Sequence, residues 1–310
     1  MSAGRYRYLF GPVPSRRLGR SLGVDLLVGK ICSYDCVYCQ VGRTASLTAQ
    51  RREIAPTEKV WAELEARFAE GVEMDYVTFS GSGEPTLHTG LGTLIARLKD
   101  RTPYRVAVLT NGSLLWMDEV RRDLARADLV VPSLDAAVEE VWRKVNRPAP
   151  GLEFARVLDG LRAFCAERGE AVALEILLVA GVNDSPEHLE ALARLVRELR
   201  VERVQLNTVT RPPSEDFAAP VPAAVLESLA SMIGERCEVI RPASDKAAWR
   251  EGVGPDEALA MLRRRPCTVR DVAAGLGVNV NEAAKVVGVL VEQGRIKPVR
   301  REGLTYYLPA

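Results

Sequence analysis

Histidine is almost absent, with two in 310 residues, His88 and His188. A chain so poor in imidazole is badly supplied for histidine-based metal binding or acid–base catalysis. Long apolar runs are missing too. No stretch approaches the ~20 residues that a bilayer-spanning helix needs, and Met1-Ser2-Ala3-Gly4-Arg5-Tyr6 holds no signal-peptide core. The expectation is a cytoplasmic protein without membrane contact. Charge of one sign is also lacking. The 42 Lys+Arg and 41 Asp+Glu leave a net charge of +1, so no global field points to a polyanionic partner. Cysteine is too sparse for a disulfide framework, six in all, and a cytosolic setting keeps thiols reduced.

The distribution of those six cysteines is the informative part. Three crowd into Ile31-Cys32-Ser33-Tyr34-Asp35-Cys36-Val37-Tyr38-Cys39-Gln40, a C-x3-C-x2-C spacing. Cys165, Cys237 and Cys267 stand apart from one another and read as small buried hydrophobes. Three thiolates are one ligand short of a structural zinc site. They are also one short of the four that ordinarily hold an iron–sulfur cluster. Such a set leaves a coordination position open, which is the arrangement of catalytic metal sites.

From about residue 20 to 210 strand-like and helix-like segments alternate. Strand signals fall at 21–27, 76–80, 104–110, 129–134, 172–179 and 204–209. Between them lie helix signals: one running from Pro56-Thr57 through Trp61, Leu64 and Phe68, then others at 91–98, 117–126, 152–168 and 187–199. Six βα units imply a parallel sheet with helices outside, an open partial (β/α)6 barrel and not the closed eight-fold one. Sites in such folds gather at the C-terminal strand ends. There the sequence places the cysteine loop, Ser80-Gly81-Ser82-Gly83-Glu84-Pro85, Thr110-Asn111-Gly112, Ser133, Asp135 and Asn207. Alone, each has a plainer reading: a glycine cluster after a strand, an Asn-Gly turn, helix-capping Ser and Asp. Glu175, polar in an apolar strand, faces either the lumen or solvent.

The style changes after about residue 242. We read 1–242 as the catalytic barrel, 243–255 as a polar linker and 256–310 as a small domain of three helices and a β-hairpin. From Ala258 on it carries nine basic residues against four acidic, some in the hairpin, where helix-turn-helix proteins meet phosphate. Val280, Ala283, Ala284 and Lys285 make a bland recognition helix, so sequence-specific DNA reading is not expected. In the N-terminal stretch Phe10 to Arg20, Arg16 and Arg17 sit among Pro and Gly. They suit phosphate or carboxylate recognition, or form a solvated arm. Arg147 and Arg211 are further candidates in strand-end loops.

The cysteine spacing, with an aromatic before the last cysteine, resembles the radical S-adenosylmethionine (SAM) superfamily. The whole order of motifs resembles a subgroup with a C-terminal winged helix, distantly similar to wyosine-synthesising tRNA enzymes and glycyl-radical-enzyme activases. The resemblance implies a [4Fe–4S] cluster on Cys32, Cys36 and Cys39, its open iron chelated by SAM, and reductive cleavage to a 5′-deoxyadenosyl radical. It implies an electron donor of flavodoxin or ferredoxin type. It places Gly81, Ser82, Gly83 and Glu84 at the SAM amino group, with Ser82 standing where the family has glycine. It places Tyr38 beside the adenine, Thr110 and Asn111 as a SAM-contacting pair, and Ser133 and Asp135 near the ribose. Glu175 and Asn207 fall comparably on the lumen side. No catalytic residue beyond the cluster ligands is implied.

Three functions follow as expectations. The first is a radical SAM enzyme acting on nucleic acid, most simply tRNA. The second modifies a peptide or protein, with the winged helix as docking module. The third is an iron–sulfur redox sensor with no turnover, which the Ser-Gly-Glu-Pro and Thr-Asn-Gly segments disfavour because a sensor needs no SAM pocket.

Overall fold

The computed structural model describes residues 6–15, 18–240, 254–278, 280–301 and 303–310. In chain order these form β1 (Leu9–Ser15), β2 (Gly19–Val24), β3 (Ile31–Cys32), β4 (Ser46–Leu47), α1 (Thr57–Ala69), β5 (Tyr76–Phe79), α2 (Leu91–Arg101), β6 (Arg105–Thr110), α3 (Asp118–Leu124), β7 (Leu129–Pro132), α4 (Glu139–Val145) and α5 (Phe154–Arg168). Then come β8 (Ala173–Leu178), α6 (Pro186–Glu198), β9 (Arg203–Thr208), α7 (Ala223–Ile233), β10 (Cys237–Val239), α8 (Pro255–Leu262), α9 (Val269–Leu276), α10 (Val280–Glu292), β11 (Ile296–Arg301) and β12 (Leu304–Pro309).

The six expected strands are β2, β5, β6, β7, β8 and β9, all mutually parallel where they pair. β5 and β7 are buried along their whole length, as strands covered on both faces must be. One sheet runs β1-β2-β5-β6-β7 and another β10-β9-β8. Parallel bridges Val130–Val172 and Ser133–Glu175 connect them. The array is open: among the described residues β1 and β10 do not pair with each other. α6 illustrates the outer layer. Ser185 caps it, accepting from His188 N at 3.3 Å, and Pro186 occupies its first turn. Its inner face buries Leu189, Leu192, Leu195 and Val196, and His188 is buried with them as a core histidine.

Besides the two-residue pair β3 and β4, two strands were not expected. The Phe10–Ser15 segment is no solvated arm; it belongs to β1, antiparallel to β2 with an irregularity between Phe10 and Val13. An edge strand tolerates the prolines that made it look like a loop. β10 is only three residues and continues the parallel order beyond β9. Arg16 and Arg17 lie outside the described residues, as does most of the 243–255 linker.

The terminal segment has its own core of Leu259, Leu262, Val272, Val287, Leu290 and Ile296. Thr268 and Asp271 form a capping box at the start of α9. The unit does not stand apart from the sheet. Arg211 pairs with Asp271 at 3.0 Å and donates to Pro266 O at 2.8 Å. Tyr306 OH donates to Thr210 O at 2.7 Å, and Arg301 donates to Ala218 O. Arg264 lies 4.3 Å over the Phe10 ring of β1. Cys165 and Cys267 are fully buried and Cys237 is half-buried. Among the described residues no single helix is long and apolar enough to cross a membrane.

Candidate active site at the cysteine loop

The loop 32–39 is held from two sides. On one side it is stitched to the end of α4. Asp35 N donates to Asn146 O at 3.0 Å, Val37 N to Val145 O at 3.0 Å, and Ala149 N to Ser33 O at 2.8 Å. Tyr34 is buried there, edge-on to Trp142 at 5.8 Å, and accepts from the indole N–H at 3.0 Å. On the other side the glycine motif crosses it, with Glu84 N donating to Ile31 O at 3.2 Å. A methyl group on Gly83 would sit 1.8 Å from that same Ile31 O. Glycine is required here by the approach of two backbones. Gly81 has φ +145°, and a methyl there would meet the Asp25 carboxylate at 2.5 Å. Asp25 in turn accepts from Ser82 N at 3.1 Å and Ser82 Oγ at 2.5 Å.

Each thiol has a side-chain donor. Lys30 Nζ is 2.7 Å from Cys39 Sγ, Asn111 Nδ2 is 3.5 Å from Cys32 Sγ, and Asn146 Nδ2 is 3.4 Å from Cys36 Sγ. Burial pushes the Cys32 thiol up to about 11, against the opposing pull of Lys30. Burial, and then the charge of Asp135, pushes Cys36 well above the ordinary thiol range. Lys30 shifts upward: burial opposes its charge, but the three thiols, Cys39 first, outweigh it. Buried thiols of this kind ionise when a cation arrives to compensate them. Among the described residues no three His, Cys, Asp or Glu side chains converge on one ion. A single-ion site needs every donor within about 2.3 Å of one centre, whereas a cluster offers each thiolate its own iron. Three thiols on one loop fit an iron–sulfur cluster, in which each thiolate would ligate its own iron.

Glu84 does something the sequence did not foretell. It is buried, and its Oε1 accepts from Thr86 N at 3.0 Å, Thr86 Oγ1 at 2.6 Å and Thr110 Oγ1 at 2.7 Å. Its Oε2 accepts from Asn111 N at 2.6 Å. Burial raises its pKa, and these four bonds restrain the rise. The carboxylate staples the glycine motif to the end of β6. Oε1 is saturated, and only Oε2 has acceptor capacity to spare.

Asp135 is a second staple. Its carboxylate accepts from Tyr38 OH at 2.5 Å, Asn146 Nδ2 at 2.7 Å and Leu177 N at 2.9 Å. Burial lifts its pKa to about 6. Tyr38 is fixed by the same bond. Ser133 lines a small cavity with Asp135, Trp142 and Phe154, and its hydroxyl has no protein partner among the described residues. Asn207 Nδ2 donates to Glu175 Oε1 at 3.1 Å, so the two strand-end polar residues do meet.

The candidate substrate arginines are otherwise engaged. Arg147 pairs with Glu215 at 2.5 Å, and Arg43 shares that carboxylate at 2.7 Å. Arg211 is tied to α9, as described above. Both guanidinium groups are thus engaged within the protein. Sequence reasoning missed Lys30, Asn146 and Asp25 as parts of the site. Lys30 was legible, a cation two residues before the first cysteine. Asp25 and Asn146 gave no local signal.

Fold and loop together define an α/β enzyme whose chemistry sits at the carboxyl ends of parallel strands. The chain belongs to the radical SAM superfamily: the family model described as "Radical SAM superfamily" matches residues 26–204. The superfamily implies SAM and a [4Fe–4S] cluster as cofactors. The chain is 32% identical over 307 residues to "UPF0026 protein MJ1312" of Methanocaldococcus jannaschii, covering 96% of this chain and 95% of that one. It is 33% identical over 303 residues to a protein of Brachyspira hyodysenteriae named "GTPase Obg", of which it spans 45%. A "Dual-specificity RNA methyltransferase RlmN" of Oleidesulfovibrio alaskensis is 29% identical over 211 residues, 64% of this chain and 56% of that protein. Among solved structures, a radical SAM methyltransferase from Sphaerobacter thermophilus superposes with TM-score 0.56 at 21% identity, covering 83% of this chain and 69% of that one; that likeness concerns the fold.

Proposed function

We propose that this enzyme cleaves SAM reductively at a [4Fe–4S] cluster and modifies a nucleic acid, most simply a tRNA. The observation that carries the cleavage is the cysteine loop, three thiols clamped beside the strand ends with a glycine motif pressed against them. Cys32, Cys36 and Cys39 would hold the cluster. When bound, the cluster and SAM supply hydrogen-abstracting radical chemistry, with electrons from a flavodoxin- or ferredoxin-like donor. The chain's own part is to hold that site rigid. Glu84 and Asp135 lock the glycine motif and Tyr38 to the sheet. Ser133, Glu175 and Asn207 supply polar groups at the strand ends for SAM and substrate.

The nucleic-acid half of the reading draws on the terminal unit and on the RNA-modifying activity in the printed name of the RlmN relative. We read residues 256–310 as a winged helix-turn-helix domain. Its arginines divide. Arg264 and Arg301 serve the contact with the sheet, and Arg295 pairs with Asp256 at 2.8 Å. Arg270, Lys285, Lys297 and Arg300 stay exposed, as phosphate-contacting residues must.

Two measurements test the reading. Reduced, iron-replete protein given SAM should release 5′-deoxyadenosine; its absence would leave a redox sensor. Bound RNA should dissociate steeply with added salt, as counterion release requires. Absence of nucleic-acid binding at low salt would turn the reading to a peptide substrate.

A further inference from the structure

The three loop thiols are served by three donors from three parts of the fold. Lys30 stands just before β3, Asn111 just after β6, and Asn146 at the end of α4. None is loosely held. The Lys30 carbonyl accepts from Ala45 N and Ser46 N, both at 3.1 Å, which fixes its backbone. Asn111 also donates to Ser33 Oγ at 2.8 Å, and its Oδ1 accepts from Ser113 N at 2.9 Å. Asn146 also donates to Asp135 at 2.7 Å. One N–H per sulfur, each oriented by a further partner, is an ordered outer shell around the cluster position.

We propose that Lys30 is a positioning residue that sets the reduction potential of the cluster, with Asn111 and Asn146 contributing in lesser measure. The inference rests on the cluster assignment made above. The potential of an iron–sulfur cluster depends on net charge and on hydrogen bonds to its sulfurs. Reduction adds one negative charge. A cation and N–H donors at the ligand sulfurs stabilise the reduced state more than the oxidised one. Lys30 brings a full charge at 2.7 Å; the asparagines bring neutral dipoles at 3.4 to 3.5 Å. Two buried carboxylates work the other way: Glu84 bonds Asn111, which also contacts Cys32, and Asp135 shares Asn146 Nδ2 with Cys36. Lys30 stands two residues before Cys32, and its Nζ lies 2.7 Å from Cys39 Sγ, so its charge sits against the cysteine loop. It makes the first electron easier to accept, which a reductively driven cleavage needs.

The test uses full-length protein with its cluster reconstituted, titrated anaerobically and followed by absorbance and by the electron paramagnetic resonance signal of the reduced cluster. Lys30→Met should disfavour reduction at least tenfold at a fixed poise, about 59 mV for one electron. Lys30→Arg should stay within threefold of wild type. Asn146→Leu should shift the equilibrium in the same direction by less. Iron and sulfide per chain should be unchanged in all three. A Lys30→Met potential within threefold of wild type, at full iron content, overturns the proposal. So does loss of the cluster in Lys30→Met with retention in Lys30→Arg, since Lys30 would then be a structural support. Wild-type protein that takes up no cluster defeats the earlier reading instead, and the two failures cannot be confused.

Discussion

The cysteine loop and the terminal unit are both attached to the same parallel sheet, and they are attached by different means. The loop is held by buried, short, mutually supporting hydrogen bonds. Glu84 takes four donors and Asp135 three, both carboxylates nearly inaccessible to solvent. The terminal unit is held by arginines at a partly wet boundary. Arg211 and Asp271 keep 16% and 29% of their side-chain surface exposed. The Arg264 to Asp25 contact is long, 3.8 Å, and Arg264 Nε is buried without a hydrogen-bond partner. Fully satisfied buried networks rigidify, whereas solvent-accessible ion pairs are weak and salt-sensitive. The site is thus built to be invariant, and the terminal unit to yield.

The sharpest attack on the invariant side removes its chemistry. Cys32, Cys36 and Cys39 all changed to Ala should abolish iron binding, while Cys165, Cys237 and Cys267 changed together should retain it. Iron near four per chain in the first triple variant would sink the assignment. Next in size is Glu84→Ala. It strands the Thr86, Thr110 and Asn111 donors, each costing about 1–3 kcal/mol when buried and unpaired. Part of that is returned because burial of the charge was itself unfavourable. A net loss of about 2–4 kcal/mol by urea unfolding is expected. A loss below 0.5 kcal/mol, in the range of an ordinary surface substitution, would mean that Glu84 is not a staple.

How much of this was written in the sequence depends on whether the signal is local. The C-x3-C-x2-C spacing is local, because a cluster demands its thiolates on one short loop. The six strands are local too, since buried parallel strands such as Tyr76-Val77-Thr78-Phe79 are short runs of β-branched and aromatic residues, buried throughout. β1 was hidden by Gly11, Pro12 and Pro14, which look like loop residues until an edge position excuses them. β10 was too short to register. The bonds of the two staples were hidden for a different reason. The sequence put Glu84 among the candidate site residues, but its partners Thr110 and Asn111, at and just after the end of β6, lie 26 and 27 residues further on. Asp135 joins Tyr38, 97 residues earlier, to Leu177, 42 residues later. Spacing within a motif cannot say that a carboxylate is already taken.

A smaller effect separates the two regions by pH. Burial raises Asp135 from 3.8 to about 6 in the folded chain. The folded state then binds this proton more tightly than the unfolded one. Its contribution is fully present below about pH 4 and is lost as pH rises toward 6. Comparing wild type with Asp135→Asn by urea unfolding should show wild type losing up to about 3 kcal/mol of relative stability across that window. Arg211→Ala should show no such dependence. A flat difference for Asp135→Asn would mean that its carboxyl is not held up by burial.

The smallest expected effect falls on the yielding side. Arg211→Ala removes a partly exposed ion pair and a bond to Pro266 O, worth about 1 kcal/mol together. The core of Leu259, Leu262, Val272 and Leu290 is untouched, so the terminal unit should stay folded. What should change is its hold on the sheet. Amide exchange should rise on both sides of the contact, at Tyr307 and Cys267, whose backbones bond each other at 2.8 and 3.1 Å, and along β1. Iron content and 5′-deoxyadenosine release without substrate should not change. Added salt should reproduce part of the effect in wild type, because the ion pair is screened, and should do nothing to a Glu84 network that contains no exposed charge. If Arg211→Ala instead costs as much as Glu84→Ala, or empties the cluster, the terminal unit is part of the rigid site, and the difference in attachment does not divide the molecule as its hydrogen bonds indicate.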